Sequence, residues 1–253
     1  MPKTPAVLSY PNSNNLGDFI QSLAAKQVIN KSKILEIDRD ELQRFKAAKV
    51  SLIMNGWFME KPKNWPPSDK IEPLFLSFHL NPIAEKEMLS EEGINYFKIH
   101  QPIGCRDYYT QKLLSSHGIK TYYSACLSLC LNRENFVSKS TEREGIYVIS
   151  PMERLNPKSE SVEKSFFKHS IQQIKRPNKR RKFQAAMERL EKFLQKQSEN
   201  IYYSSQLIKT RKDNKPAHVE KAKIQLKNIA KAKLVITSRI HSALPAVAFG
   251  TPV

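Results

Sequence analysis

The chain lacks the sequence features that mark several common classes of protein. Its 253 residues include only 7 glycines, with no Gly-x-Gly-x-x-Gly fingerprint and no phosphate-binding loop, so the sequence does not support dinucleotide redox or ATP chemistry. No uncharged apolar run reaches the roughly 18 residues that indicate a membrane span. The first residues, Met-Pro-Lys-Thr, lack the apolar core of a signal peptide. We therefore expect a cytoplasmic protein.

Cysteine is scarce, and its spacing is not typical of a disulfide framework or a metal site. Cys105, Cys126 and Cys130 form neither an even set nor a metal-ligand pattern, and the last two lie in an alternating stretch that predicts a strand. We interpret all three as reduced core thiols, with catalysis by Cys105 as the alternative. Four histidines show no metal-ligand grouping: His100, His117, His169 and His218. The sequence predicts no metal and no bound cofactor.

Positive charge is abundant and unevenly placed. The net charge is +18, and residues 154–233 carry 22 Lys and Arg against 7 Asp and Glu, most densely at 175–182. Such a run binds nucleic acid or an anionic membrane surface, or is simply a solvated face. Because no aromatic residues interleave with the charges and no nucleic-acid fold signature is present, we expect no nucleic-acid partner. An anionic lipid-linked substrate and peripheral attachment to the inner face of the membrane are the further expectations.

Strand and helix patterns alternate along the chain, which predicts an α/β fold with mainly parallel sheets. Predicted strands occupy residues 7–10, 33–37, 50–55, 74–79, 96–99, 120–123, 146–150 and 234–237. A break near 132–145 divides them, so we expect an N-terminal domain at 1–135 and a C-terminal domain at 145–253. Both are predicted to be Rossmann-like and to face each other across a cleft.

The segment 234–253 is the most informative part of the sequence. A buried strand at 234–237 is followed by Arg239 and His241, then by a small-residue helix at 242–249 that Gly250 ends. Ligands bind at the carboxyl ends of parallel strands, and the first helical amides favour an anion. The turn therefore predicts a site for phosphate or carboxylate. The alternative is a surface ion pair for Arg239 and a structural role for His241.

Four short motifs, in this order and spacing, resemble the polysaccharide pyruvyl transferase family. They are Asn-Leu-Gly-Asp at 15–18, Asn-Gly-Trp-Phe at 55–58, Gly-Cys-Arg-Asp at 104–107 and Ser-Arg-Ile-His at 238–241. The resemblance extends through the segments 74–79, 126–131 and 244–253, so it covers most of the chain.

The resemblance implies a two-domain fold similar to the GT-B glycosyltransferases, with phosphoenolpyruvate bound between the domains as co-substrate. Family members transfer pyruvate onto two hydroxyls of a sugar, form a cyclic ketal and release phosphate. The acceptor is a sugar, an oligosaccharide or a lipid-linked saccharide of exopolysaccharide biosynthesis, expected on the N-terminal side with the donor on the C-terminal side. Members continue past the turn at 250–253 into a further strand and helix, so we expect a short or truncated member.

By this resemblance Arg239 and His241 match the family's Arg-x-His donor site, and Arg106 matches the arginine of its Arg-Asp turn. The chemistry agrees, because phosphoenolpyruvate carries a phosphate and a carboxylate and needs at least two cationic donors. Two roles remain open for His241. It is either the general acid of ketal formation or a cation that holds phosphate.

The acceptor side is predicted less specifically. Asp18 is either the base for the attacking hydroxyl or a capping carboxylate, whereas Asp107 is interpreted as a cap. Trp57 either stacks on a sugar or packs in the core. His79, at a strand end, is interpreted as a hydrogen-bonded structural histidine, with a position facing the cleft as the alternative. The residues expected to shape the acceptor pocket are Asn15, Gly17 and Gln21.

Two other functions remain open from the sequence. One is a GT-B-type glycosyltransferase that uses a nucleotide sugar, and the choice of donor separates it from a pyruvyl transferase. The other is a non-catalytic protein that binds an anionic polymer or membrane through its basic second half. Salt-sensitive binding that survives the loss of Arg239 and His241 would indicate that role.

Overall fold

In the parts of the chain that the computed structural model describes, residues 3–153, 166–208 and 215–253, nine strands form two all-parallel sheets. The first sheet has the order β2-β1-β3-β4-β5-β6, and the second has the order β8-β7-β9. The strands are β1 Thr4–Ser9, β2 Leu35–Asp38, β3 Val50–Phe58, β4 Ile71–Leu80, β5 Ile103–Cys105, β6 Thr121–Tyr123, β7 Ile146–Ile149, β8 Ile201–Ser204 and β9 Leu234–Thr237. The predicted α/β class with parallel sheets is confirmed.

Helices separate most of the strands, as parallel connections require. They are α1 Leu16–Ile29, α2 Glu85–Met88, α3 Glu91–Ile99, α4 Tyr108–Ser116, α5 Phe166–Leu194, α6 Lys215–Lys231 and α7 Ile240–Ala248. Short 3-10 turns lie at Arg39–Arg44, Pro62–Asn64, Pro82–Ala84, Leu127–Cys130 and Arg133–Asn135. Much of the basic run falls on α5.

Alternating residues of the first sheet divide its side chains between two apolar clusters. Leu8 belongs to a cluster on one face that is rich in aromatic rings, and it includes Trp65. Val7 faces the other way, into a cluster shared with Leu226 of α6 and Val235 of β9. A fully buried leucine such as Leu226 contributes about 1.5–3 kcal/mol. Because the second cluster includes residues of both sheets, it fixes the sheets relative to one another.

One strand prediction is wrong. Residues 96–99 form the last turn of α3, whereas the pattern Tyr-Phe-Lys-Ile had predicted a strand. The helix begins after Ser90, whose side chain accepts a hydrogen bond from the amide of Gly93, and two acidic residues occupy its first turn. Four residues are too few to separate a period of 2 from one of 3.6, so the capping signal upstream is decisive.

The cysteine interpretation is also partly wrong. Cys126 is buried, but it precedes a 3-10 turn at Leu127–Cys130 and does not lie in a strand. Cys130 is exposed and is therefore not a core thiol. Cys105 is buried, as expected of a core thiol, and it lies in β5, which was not among the predicted strands. All three thiols are free.

The segment that ends the chain folds almost as predicted. The strand β9 has the predicted bounds, and α7 begins two residues earlier than expected. Gly250 follows this helix with a φ of 63°, a left-handed conformation that glycine adopts without strain. The turn of Arg239 and His241 therefore lies at the carboxyl end of the second sheet.

Candidate active site

A cavity of about 660 Å³ lies where the carboxyl ends of the two sheets meet. The ends of β3 and β4 and the segments that follow β1, β3 and β5 line it on one side, and the segments that follow β8 and β9 line it on the other. Of the predicted site residues, five line the cavity: Asn15, Asp18, Arg106, Arg239 and His241. The remaining two, Gly17 and Gln21, lie behind its wall.

The start of α7 gives the cavity a set of backbone donors. The N-cap residue of this helix is Arg239, which makes no side-chain capping bond, and its own amide donates to Thr237 Oγ1 at 3.0 Å. The amides of the first helical turn have no intrahelical acceptor, and they carry the positive end of the helix dipole. The geometry therefore provides a place for an anion beside Ile240 and His241, both of which line the cavity.

His241 is held in its neutral form. Its side chain is 6% exposed. Burial, together with the positive charge of Arg106 and the neighbouring His79, lowers its pKa to about 3. Its Nδ1 atom lies 3.9 Å from the sulfur of Cys126. A neutral imidazole in this position gains a proton only when a negative charge arrives beside it.

Arg106 is held by an uncharged partner. Its Nη1 atom donates to Oε1 of Gln21 at 3.2 Å. Gln21 is fixed in turn, since its backbone oxygen accepts from Asn55 Nδ2 at 3.1 Å. Among the residues that the structure describes, no carboxylate forms an ion pair with Arg106. Gln21 is therefore placed to orient this guanidinium from behind the wall, and the positive charge stays uncompensated.

Arg239 has the opposite arrangement. Its Nε atom donates to Oε2 of Glu153 at 2.5 Å, and the pair is largely buried. The backbone amide of Glu153 also donates to Oγ of Ser238 at 3.3 Å, so the loop after β7 folds against the start of α7. The carboxylate of Glu153 is thus paired with Arg239, the guanidinium that the sequence analysis assigned to the carboxylate or phosphate of the donor.

Asp18 lies in the first turn of α1, on the cavity wall. The N-cap of the helix is Asn15, whose Oδ1 accepts from the amide of Gly17 at 3.0 Å. Burial raises the pKa of Asp18, and a 2.5 Å hydrogen bond from Ser13 Oγ opposes this effect. A carboxyl group whose pKa is raised towards neutrality suits proton transfer.

His79 and Asp107 form a fixed pair beside Arg106. Asp107 caps α4 by accepting from the amide of Thr110 at 2.9 Å, and its Oδ2 lies 2.5 Å from His79 Nδ1. Burial raises the pKa of Asp107, but hydrogen bonds from His79 and Thr110 outweigh it and lower the value to about 2. The predicted capping role of Asp107 agrees with this geometry. His79 both lines the cavity and is hydrogen-bonded to Asp107, so features of both interpretations of this residue are present.

Trp57 is a half-buried residue of the cavity wall, and Phe58 beside it is fully buried. The guanidinium of Arg39 lies over the Trp57 ring at 5.2 Å from its centroid and pairs with Asp40. The indole is therefore held in place by a buried cation, and it borders the cavity next to Glu60. Trp57 therefore lines the cavity and is not a fully buried core residue.

Gln206 is a cavity residue that sequence reasoning missed. It is 1% exposed and joins the two sides of the site, since Nε2 donates to Asn15 Oδ1 at 3.3 Å and Oε1 accepts from Ser242 Oγ at 2.5 Å. It follows β8, a strand that the sequence did not predict, and a single glutamine in a polar stretch gives no signal of its own.

Gly17 packs closely against Gln206 and His241. A methyl group in its place would lie 2.6 Å from Gln206 Nε2 and 2.9 Å from His241 Cδ2. Any side chain at position 17 would therefore displace His241 or Gln206.

No group of three or more His, Cys, Asp or Glu within the described parts of the chain is arranged to hold a metal ion. In the same parts, no helix is both long enough and apolar enough to cross a bilayer.

The fold and the cavity define an α/β protein with parallel sheets whose meeting edges carry cationic, acidic and polar side chains. A family model for polysaccharide pyruvyl transferases matches residues 15–253, nearly the whole chain. The chain therefore belongs to the polysaccharide pyruvyl transferase family, as its motifs predicted. It is a transferase, and the family implies a polysaccharide or other saccharide acceptor.

A solved structure has a similar fold. It is the crystal structure of a functionally uncharacterised protein from Klebsiella pneumoniae subsp. pneumoniae NTUH-K2044, with a TM-score of 0.50 and 13% sequence identity. The similarity covers 98% of this chain and 81% of that protein. At this identity the likeness shows the fold alone. No curated protein matches the sequence significantly.

Proposed function

We propose that the protein transfers pyruvate from phosphoenolpyruvate onto a saccharide in this cavity, forming a cyclic ketal and releasing phosphate. The observation that carries the proposal is the combination, around one cavity, of an uncompensated arginine on one wall and a neutral buried histidine at a helix start on the facing wall. Arg106, His241 and the first amides of α7 converge on a space that suits a phosphate group. Arg239 is the second cation, and it takes the donor carboxylate in exchange for Glu153.

The reaction needs a proton at carbon 3 of phosphoenolpyruvate and two new bonds at carbon 2. A first acceptor hydroxyl adds at carbon 2 while carbon 3 gains a proton and becomes the methyl group. A second hydroxyl of the same sugar then attacks carbon 2, the bond from carbon 2 to the phosphate oxygen breaks, and phosphate leaves. Each hydroxyl loses a proton, so one proton goes to carbon 3 and the other leaves with phosphate.

Two groups of the cavity suit these proton transfers. His241 is neutral in the empty site. The negative charge of the bound phosphate raises the pKa of His241, so the imidazole takes up a proton that it then donates. Asp18 is the base for the hydroxyls, since burial brings its pKa closer to neutrality. Trp57, held by Arg39, is the surface on which the modified sugar lies.

We also propose that the acceptor is a lipid-linked precursor of a surface polysaccharide, modified at the inner face of the membrane. Support comes from the basic residues of α5 and α6, which attract anionic surfaces at roughly 1 kcal/mol per charge close to the surface. Phosphoenolpyruvate is the co-substrate, with no bound cofactor.

Binding calorimetry with phosphoenolpyruvate, UDP-glucose and GDP-mannose tests the proposed donor. We expect saturable binding of phosphoenolpyruvate at low and at moderate salt, and no binding of either nucleotide sugar. Replacing Lys179, Arg180, Arg181 and Lys182 by neutral residues is the matched control, because these side chains lie outside the cavity and their loss leaves donor affinity unchanged. Binding of a nucleotide sugar, or of neither class, would overturn the proposal.

A further inference from the structure

The exposed aromatic side chains of residues 3–153 are gathered at one place, around the edge strand β6 and the start of α4. They are Tyr108, Tyr109, Tyr122 and Tyr123. Tyr108 and Tyr123 stack on each other, with ring centroids 4.6 Å apart and planes inclined by 15°. Their exposed fractions are nevertheless 70% and 47%. Because each ring covers one face of the other, the exposure comes from the outer faces and edges of the pair.

The fold places this pair on the same edge of the sheet as the cavity. Tyr123 ends β6 and lies opposite Cys105, the last residue of β5. The residue that follows Cys105 is Arg106, on the cavity wall. Tyr108 begins α4 directly after Asp107, which holds His79. Neighbouring strands are roughly 4.8 Å apart. The tyrosine pair is therefore about one strand beyond the cavity along the carboxyl edge.

The chemistry of the pair suits a sugar ring. A pyranose presents a face of C–H groups that packs on an aromatic ring while its hydroxyls stay in water. Tyrosine gives a large, amphipathic surface that loses little conformational entropy on binding. The stacking of a helix start on a strand end holds the two rings in place before any ligand binds. Continuity with the cavity favours the acceptor saccharide, which the family implies, as the occupant.

We propose that Tyr108 and Tyr123 form a subsite for the acceptor saccharide, which binds the sugar residue next to the one that enters the cavity. The inference rests on the proposed function in placing the modified sugar on Trp57, in the cavity where Arg106 binds the donor. It adds that the enzyme recognises at least two sugar residues, and that the second is bound by ring stacking without a charged partner.

Saccharide binding without donor tests the subsite. The probes are immobilised tetrasaccharides that end in glucose, galactose, mannose or an N-acetylhexosamine, presented to wild-type protein and to Tyr108→Ala and Tyr123→Ala variants. We expect wild-type protein to bind at least one probe, each alanine variant to lose about ten-fold in affinity, and Tyr108→Phe and Tyr123→Phe to bind as the wild type does. Thermal unfolding establishes that the variants are folded.

Tyr202→Ala is the matched control. Tyr202 stacks on Tyr147 at 4.8 Å and is 41% exposed, but this second pair lies towards the amino ends of β7 and β8, away from the cavity. Its loss should leave saccharide binding unchanged. The proposal would be overturned if Tyr202→Ala lost as much saccharide affinity as Tyr108→Ala and Tyr123→Ala do. It would also be overturned if those two variants bound saccharide as the wild type does, or if the wild type bound no probe.

A titration of the same variants with phosphoenolpyruvate separates the two proposals. If the alanine variants lose the saccharide but keep phosphoenolpyruvate, both proposals stand. If ring-dependent saccharide binding is found and phosphoenolpyruvate does not bind the wild type, the subsite stands and the proposed donor falls. Sedimentation that shows a dimer of wild-type protein but monomers of the alanine variants would make the pair a contact between copies, and would overturn the subsite.

Discussion

The two arginines of the cavity are held in opposite ways, although they lie on facing walls of one site. Arg106 donates to the neutral amide of Gln21, whereas Arg239 is paired with the carboxylate of Glu153. The first-sheet wall therefore offers a positive charge to an incoming anion at once. The second-sheet wall offers one only after Glu153 moves away. An arginine motif by itself does not show which of these states the fold provides.

Burial also affects the charge of the two groups proposed for proton transfer, His241 and Asp18. Burial lowers the pKa of His241 and raises that of Asp18, so in each group it disfavours the charged form relative to the uncharged one. A bound dianion reverses this preference for His241. In the proposed mechanism, the negative charge of the substrate is therefore what allows His241 to become protonated and act as the acid.

The largest expected effect is that of Arg106→Ala. Charge-assisted hydrogen bonds contribute about 1.5–3 kcal/mol each, so losing a guanidinium that makes two of them to the phosphate should weaken phosphoenolpyruvate binding by roughly 100-fold or more. Arg239→Ala should weaken it less, because that variant also removes the need to displace Glu153. Calorimetry on both variants measures the difference. Arg44→Ala, which removes an exposed arginine outside the cavity, is the control. A larger loss of affinity in Arg239→Ala than in Arg106→Ala would mean that the arginine paired with Glu153 contributes more to donor binding than the uncompensated one.

Gly17→Ala should impair turnover while the protein stays folded. The added methyl meets His241 and Gln206 at less than 3 Å, so the imidazole must shift. Misplacing a catalytic group by about 1 Å costs on the order of 100-fold in rate, and overpacking costs about 1–3 kcal/mol of stability. Phosphate release and thermal unfolding measure the two effects. In a His241→Ala background the same methyl group should have no further effect on rate, and a second large loss there would place the damage elsewhere.

Gln21→Glu should give Arg106 the arrangement that Arg239 has. A carboxylate at this buried position pairs with the guanidinium, and we expect phosphoenolpyruvate affinity to fall about ten-fold, the equivalent of roughly 1.4 kcal/mol. The matched variant Gln21→Ala removes the partner without adding a charge, so its loss should be smaller. Equal affinities for Gln21→Glu and wild-type protein would show that compensation of Arg106 does not matter.

Glu153→Gln is the reverse experiment and the smallest expected effect. It keeps the shape of the side chain but removes the carboxylate that occupies Arg239. Phosphoenolpyruvate should bind a few-fold more tightly, since an amide is the weaker competitor for a charged guanidinium. Titration calorimetry against the wild type gives the ratio. Weaker binding by Glu153→Gln would mean that Glu153 orients Arg239 for the substrate and does not compete with it.

The second half of the site could be predicted because its signal is local. A buried strand, two polar residues, a small-residue helix and a glycine follow one another within 234–253, and the structure has them in that order. Arg239 and His241 were predicted to face a ligand site because they directly follow a predicted parallel strand, and ligands bind at the carboxyl ends of such strands.

The partners of these residues could not be predicted, because each is set by contacts between distant parts of the chain. Glu153 is 86 residues from Arg239, and Gln21 is 85 residues from Arg106. Gln206 joins Asn15 across 191 residues. No periodicity or motif encodes such a pairing. The error at 96–99 has a different cause, since a short apolar run fits a helix as well as a strand.

The most direct test of the account is the number of protons taken up when phosphoenolpyruvate binds. Calorimetry at pH 7.5 in buffers of different ionisation enthalpy measures it. His241 is unprotonated in the free protein, because its pKa is about 3. We expect net proton uptake on binding to wild-type protein, decreasing as the pH rises, and none with His241→Gln. Binding without proton uptake, or equal uptake by His241→Gln, would contradict the assignment of His241 as the group that takes up a proton from solution when phosphoenolpyruvate binds.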